Sequence, residues 1–172
     1  MTKHRDIVQT RIPNHHPIST RAVPLDKLSS YGGIINVEFG YETDSNGFGQ
    51  FYFDVEYCDF EKEYPKQRSY DLGFTIPGNC TVNMSLSEKP GWRWPLITSG
   101  MTSKEKLPKS LFRDYTETHK DDGIISFKVK KDNGKPQKYY FYLNVEIKQS
   151  KGDETWRPVS IDPWLQNPRP AD

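Results

Sequence analysis

The chain is short of aliphatic residues and has no long apolar run. Hydrophobic residues make up 34% of its 172 positions. No stretch approaches the roughly 20 consecutive apolar residues that a membrane-spanning helix needs. The first twenty residues hold no apolar h-region, so no Sec signal peptide is expected there. Cysteine is nearly absent too. Cys58 and Cys80 are too few for a disulfide scaffold; buried free thiols are the expectation, with one bridge between neighbouring strands the alternative. Without a secretion signal, the NCT and NMS tripeptides at Asn79 and Asn83 read as chance matches to the glycosylation sequon. A cytoplasmic location is the expectation that follows.

Charge of one sign is also lacking. Lys plus Arg number 24 against 23 for Asp plus Glu, so no net field draws in nucleic acid or an anionic membrane, and neither is expected as a partner. Helical pattern is limited to one turn that could start at Asp26, stopped by Gly32–Gly33, and one short candidate after Pro108, where Leu111 and Tyr115 stand four apart. No phosphate-binding glycine loop, nucleophile elbow or CxxC pair occurs. His15 and His16 sit in a proline-flanked arm without carboxylate partners that the sequence can place, so neither metal nor cofactor is expected. The DSNG and KDNG segments are turn chemistry rather than calcium loops. Val55 stands where a loop opening at Asp44 would need its closing Glu.

What the chain does have is aromatics, 13% of the residues, and repeated period-two alternation. The longest clean example is KYYFYLNVEIK over 138–148. Phe141, Leu143, Val145 and Ile147 alternate there with Tyr140, Tyr142, Asn144 and Glu146, as in a half-buried central strand. Residues 34–41 and 50–58 alternate around Asn46–Gly47, which predicts a hairpin. Alternation in 70–76 and 80–86 predicts a second hairpin. Residues 121–131 are expected to turn through Asn133–Gly134 into the central strand. A last strand carrying Trp156, Pro158 and Val159 should lie at a sheet edge or place the proline at a bulge, because proline cannot donate to a ladder.

These patterns predict an all-β, antiparallel two-sheet β-sandwich of about seven or eight strands, with a barrel as the other closure. Residues 1–32 are expected to form an extended or disordered arm, 33–165 the β-sandwich domain and 166–172 a proline-rich tail. The irregular stretch 87–122 is a long loop, and such connections often carry function.

The aromatics are the candidate ligand-binding residues. Trp92 and Trp94 flank Arg93 in that loop and are either stacking platforms or caps on the core. Tyr115 joins them as a loop residue to test. Tyr140 and Tyr142 face away from the aliphatic side of the central strand, onto whatever covers that surface. Asp54, Glu56 and Glu146 are the carboxylates to weigh for acid–base sugar hydrolysis, against the alternative of a solvated sheet face.

The C-terminal order of a Tyr- and Phe-rich strand, a short charged turn, a Trp-bearing strand and the segment Asp162, Pro163, Trp164, Leu165 with Asn167 resembles the end of the PixA/AidA inclusion-body proteins. The resemblance covers about the last quarter of the chain. The N-terminal strand of that family has no counterpart here, where proline and basic residues fill the region. The resemblance implies a bacterial cytoplasmic β-sandwich without catalysis, and it assigns no site residue. Taken together, the expectation is a non-enzymatic protein acting by self-association as a homo-oligomer or by binding a protein at its surface. A carbohydrate-binding module using loop aromatics to hold a glycan is the alternative, and a small glycoside hydrolase the third reading.

Overall fold

The computed structural model describes residues 32–88, 91–104, 123–148, 152 and 155–171, and the backbone of 16–17 and 113–119. Every regular element among them is a strand. In chain order these are β1 (His16–Pro17), β2 (Gly33–Thr43), β3 (Gly49–Cys58), β4 (Gln67–Ser69), β5 (Gly73–Thr75), β6 (Cys80–Leu86) and β7 (Trp92–Arg93). They continue with β8 (Met101–Ser103), β9 (Arg113–His119), β10 (Ile124–Val129), β11 (Gln137–Lys148), β12 (Trp156–Ile161) and β13 (Trp164–Asn167). Where a helix was expected, residues 113–115 belong to β9; 108–112 lie outside the described residues.

The strands form two mixed sheets and no closed barrel. One has the order β4-β3-β2-β6-β10-β9; the other runs β1-β8-β11-β13-β5, with β7 and β12 also on β11. The expected all-antiparallel pairing is corrected at two places. β2 runs parallel to β6, and β13 runs parallel to β5.

Local chemistry explains which hairpins form. The β2–β3 hairpin closes as expected. Asp44 Oδ1 accepts from the backbone N–H groups of Asn46 and Phe48, both at 2.9 Å, and Gly47 takes a φ of +79°. The second expected hairpin does not exist. Residues 67–75 break into β4 and β5, which belong to different sheets. The break is at Leu72, whose φ of +56° ends the extended run. Ser69 fixes the reversal, its Oγ donating to Asp71 Oδ1 at 2.6 Å and accepting from the Gly73 N–H at 3.1 Å. Period-two alternation continued through this reversal, and the sequence concealed it.

The link from β10 to β11 is corrected in the same way. It crosses between sheets instead of making a hairpin, and Gly134 lacks the positive φ that a tight Asn-Gly turn requires. β11 is central, as expected, flanked by β8 and β7 on one side and by β13 and β12 on the other. Among the described residues β12 pairs only with β11, so Pro158 lies on an edge strand there.

The buried faces share one core. Val37, Phe39, Phe53, Val82 and Phe127 of the six-stranded sheet join Met101, Phe141, Leu143, Val145 and Leu165 of the other. Full burial of each such side chain contributes about 1.5–3 kcal/mol, and aromatics do much of the filling. Trp92 stacks on Phe39 at 4.5 Å between centroids. Gly100 allows the sheets to meet, since a Cβ there would fall 2.4 Å from Ile125 Cδ1.

Candidate functional site

The expected ligand-binding residues divide between core and surface. Trp92 and Trp94 are 8% and 3% exposed. Their indole N–H groups donate to the Ser87 carbonyl at 2.6 Å and the Gly123 carbonyl at 2.8 Å. They cap the core, so the loop-aromatic platform is corrected: neither ring presents a free face. Tyr115 lies on β9 in the six-stranded sheet, and its side chain is outside the described residues. Tyr140 and Tyr142 are on the outer face of the seven-stranded sheet.

That outer face is built on β11. Side chains at 138, 140, 142, 144 and 146 point away from the core because 141, 143, 145 and 147 are buried in it. The register sets Trp164 beside Tyr140, and Thr102 beside Tyr142. Trp164 lies against Gly73 on β5, the neighbouring strand. Lys138 Nζ sits 4.1 Å from the Trp164 ring centroid. Lys104 Nζ reaches both tyrosines, at 5.7 and 5.6 Å from their centroids. Its ammonium also bonds the Asp162 carboxylate, which holds it above the usual lysine range. Each cation lies within contact range of a ring quadrupole. Tyr140 remains 45% exposed, the most open aromatic of the strip.

Further along β11 the outer groups are consumed by structure. Asn144 Nδ2 donates to the Ser99 carbonyl at 3.0 Å and to Thr102 Oγ1 at 3.2 Å, while its Oδ1 accepts from Ser160 Oγ at 2.6 Å. Glu146 Oε1 accepts from Arg93 Nε and from the Leu96 N–H, both at 3.3 Å. The Arg93 guanidinium lies 4.0 Å from the Trp156 ring centroid.

Of the carboxylates weighed for hydrolysis, Asp54 and Glu56 share the outer face of β3, and Glu146 is set apart from both. Glu146 is on the outer face of the seven-stranded sheet and Asp54 on that of the six-stranded sheet. Asp54 is held by Arg68 through bonds of 2.8 and 2.9 Å. Beside it a hydrogen-bonded row crosses the six-stranded sheet. Ser126 Oγ donates to Asn83 Oδ1 at 2.6 Å, Asn83 Nδ2 donates to Asn36 Oδ1 at 3.2 Å, and Asn36 Nδ2 meets Cys58 Sγ at 3.9 Å.

Burial pushes the Cys58 thiol up, helped by the Glu56 and Asp59 charges, so this sulfur is not an activated nucleophile. Cys80 is in the core, and the two thiols are free. Among the described residues no group of three or more His, Cys, Asp or Glu is placed to hold a metal ion, and no helix is long and apolar enough to cross a membrane.

The exposed strip therefore consists of Tyr140, Tyr142, Trp164, Lys104 and Lys138. Sequence reasoning found the tyrosines but missed the other three. Lys138 shares the tyrosines' face of β11, whereas Trp164 and Lys104 meet the strip only through the β11–β13 register and the position of Lys104 after β8. No protein-family model matches the chain, and no curated protein matches its sequence.

Proposed function

We propose that this chain is a non-enzymatic β-sandwich protein that acts by surface binding or self-association, with the Tyr140 strip as the face it offers. One observation carries the reading: an aromatic row on a central strand keeps Tyr140 45% exposed, where burial would have been the stable use of the ring. Lys104 and Lys138 lie at the edge of the aromatic row and give it a polar rim, the arrangement of a partner surface with an aromatic centre. The resemblance of the C-terminal segment to cytoplasmic inclusion-body proteins points the same way. The glycan alternative moves from the buried loop tryptophans to Tyr140, whose exposed ring can stack on a sugar.

Trp164 is the reporter, because it adjoins Tyr140 on the neighbouring strand. Tryptophan emission should change with protein concentration if the strip meets a second copy, or on a glycan panel if it meets sugar. Either change should vanish in Tyr140→Ala. Emission that is constant across concentration and across the panel overturns the reading.

A further inference from the structure

The charges that balance over the whole chain are sorted by the fold. From 128 to 138 the sequence holds five lysines and a single acid, Asp132. Lys130, Lys131, Lys135 and Lys138 are all exposed. Among the described residues none of these four is in an ion pair. Asp132 is engaged within the turn, its Oδ1 accepting from the Gly134 N–H at 3.0 Å.

The backbone beneath these lysines is anchored. Asn167 Nδ2 donates to the Lys130 carbonyl and Asn167 Oδ1 accepts from the Asp132 N–H, both at 2.9 Å. Asn79 Oδ1 accepts from the Lys131 N–H at 2.8 Å. The ammonium groups are thus carried on a fixed frame, and their mutual repulsion is not relieved within the described chain.

The opposite sign gathers on β2 and β3, on the outer face of the six-stranded sheet. Glu38, Glu42, Asp54 and Glu56 share that side of the two strands. Arg68 bonds Asp54 and Glu42. Glu38 and Glu56 are exposed and outside any ion pair among the described residues. After burial, the Asp54, Glu38 and Glu42 charges push the Tyr52 phenol up against the opposing pull of Arg68.

We propose that the Lys130–Lys135 turn of one copy docks on the Glu38/Glu56 face of a second copy. The occupant is fixed by charge: each surface carries unpaired groups of the sign that the other lacks. Turn and face are different surfaces, so the contact is heterologous and leaves a free turn on one copy and a free face on the other. Such contacts extend into open assemblies unless the rotation closes a ring. The docking turn uses Lys130, Lys131 and Lys135 and none of the strip's aromatic rings, so this contact is tested separately from the surface reading above.

Sedimentation velocity on the full chain tests it. At about 10 mM ionic strength, where screening reaches only beyond roughly 30 Å, the average mass should rise with concentration above the 20.0 kDa monomer. At about 1 M salt it should fall back to the monomer. Lys131→Glu/Lys135→Glu and Glu38→Lys/Glu56→Lys should each weaken association by about tenfold or more at low salt, two contacts turning from attractive to repulsive. An equimolar mixture of the two variants should assemble again, a result that also requires both to be folded. The neutral Lys131→Gln/Lys135→Gln should fall between wild type and reversal. A wild type that stays monomeric at low salt overturns the proposal, as does a mixture that stays monomeric. Assembly that ignores salt and both reversals but is lost in Tyr140→Ala overturns it too, while supporting the surface reading.

Discussion

Trp164 rests directly on Gly73: a Cβ at residue 73 would fall 1.9 Å from the indole ring. The two face each other across the parallel β5–β13 pair, so the absent side chain is what lets the ring lie beside Tyr140. Gly73→Ala should displace the indole and cost about 1–3 kcal/mol, as overpacking does in a well-filled site. Denaturant midpoint and tryptophan emission check this. If the strip binds through its aromatics, Gly73→Ala should also lower the response that Tyr140→Ala removes.

Asn167 is 0% exposed, yet it is polar and carries the connection between the sheets. Its amide answers both the Lys130 carbonyl and the Asp132 N–H. Asn167→Leu leaves both backbone groups without that partner and should destabilise the fold by about 1–3 kcal/mol, the net worth of two part-buried hydrogen bonds. Amide exchange at Asp132 should rise more than exchange within β2. Equal protection at both sites would mean that the turn is held by other contacts.

The sequence made the strands legible and left their partners obscure. Alternation placed Phe141, Leu143, Val145 and Ile147 on the buried side of β11 without any tertiary information, because a period of two is a property of the strand itself. Whether two alternating runs pair with each other is decided at the turn, and there the signals misled. Leu72 adopts a positive φ that no residue preference announces, and Asn133–Gly134 forms a crossover held by Asn167, more than thirty positions away. The site divides in the same manner. Tyr140, Tyr142 and Lys138 could be read as one face from β11 alone, whereas Trp164 and Lys104 join them only through sheet register and ring contacts. Trp92 and Trp94 looked like loop residues because Gly and Pro surround them, but burial of their rings is what the aliphatic-poor core needs.

Arg68 links three groups on the outer face of the six-stranded sheet. It bonds Asp54 and Glu42 and lies 4.0 Å from the Tyr52 ring centroid. The side chains in these pairs are partly exposed, so Arg68→Ala should cost only about 1 kcal/mol or less. Its electrostatic signature should be clearer. Burial is the main cause of the raised Tyr52 pKa, and Arg68 opposes it. Removing the guanidinium should therefore move phenolate formation at Tyr52 to still higher pH, read by ultraviolet difference titration against Tyr52→Phe. A downward shift would show that the ring's position, rather than the charge, governs its titration.

Cys80 offers a pH-dependent test of the core. It is 0% exposed, and burial pushes its thiol from an ordinary 9.0 up to about 12. Below pH 9 the thiol is neutral in both folded and unfolded chains, so its contribution to stability is fully present. Above that the unfolded chain releases the proton while the folded core retains it, and the contribution is lost progressively toward pH 12. Cys80→Ala lacks this titration. The stability gap between wild type and Cys80→Ala, measured by denaturant midpoint, should be constant below pH 9 and should narrow above it. Thiol labelling gives the companion result. In the folded protein a reagent should modify the half-buried Cys58 slowly and spare Cys80, and both should react once the chain is unfolded. Rapid native labelling of Cys80, or a stability gap that widens at high pH, would contradict its place in the core.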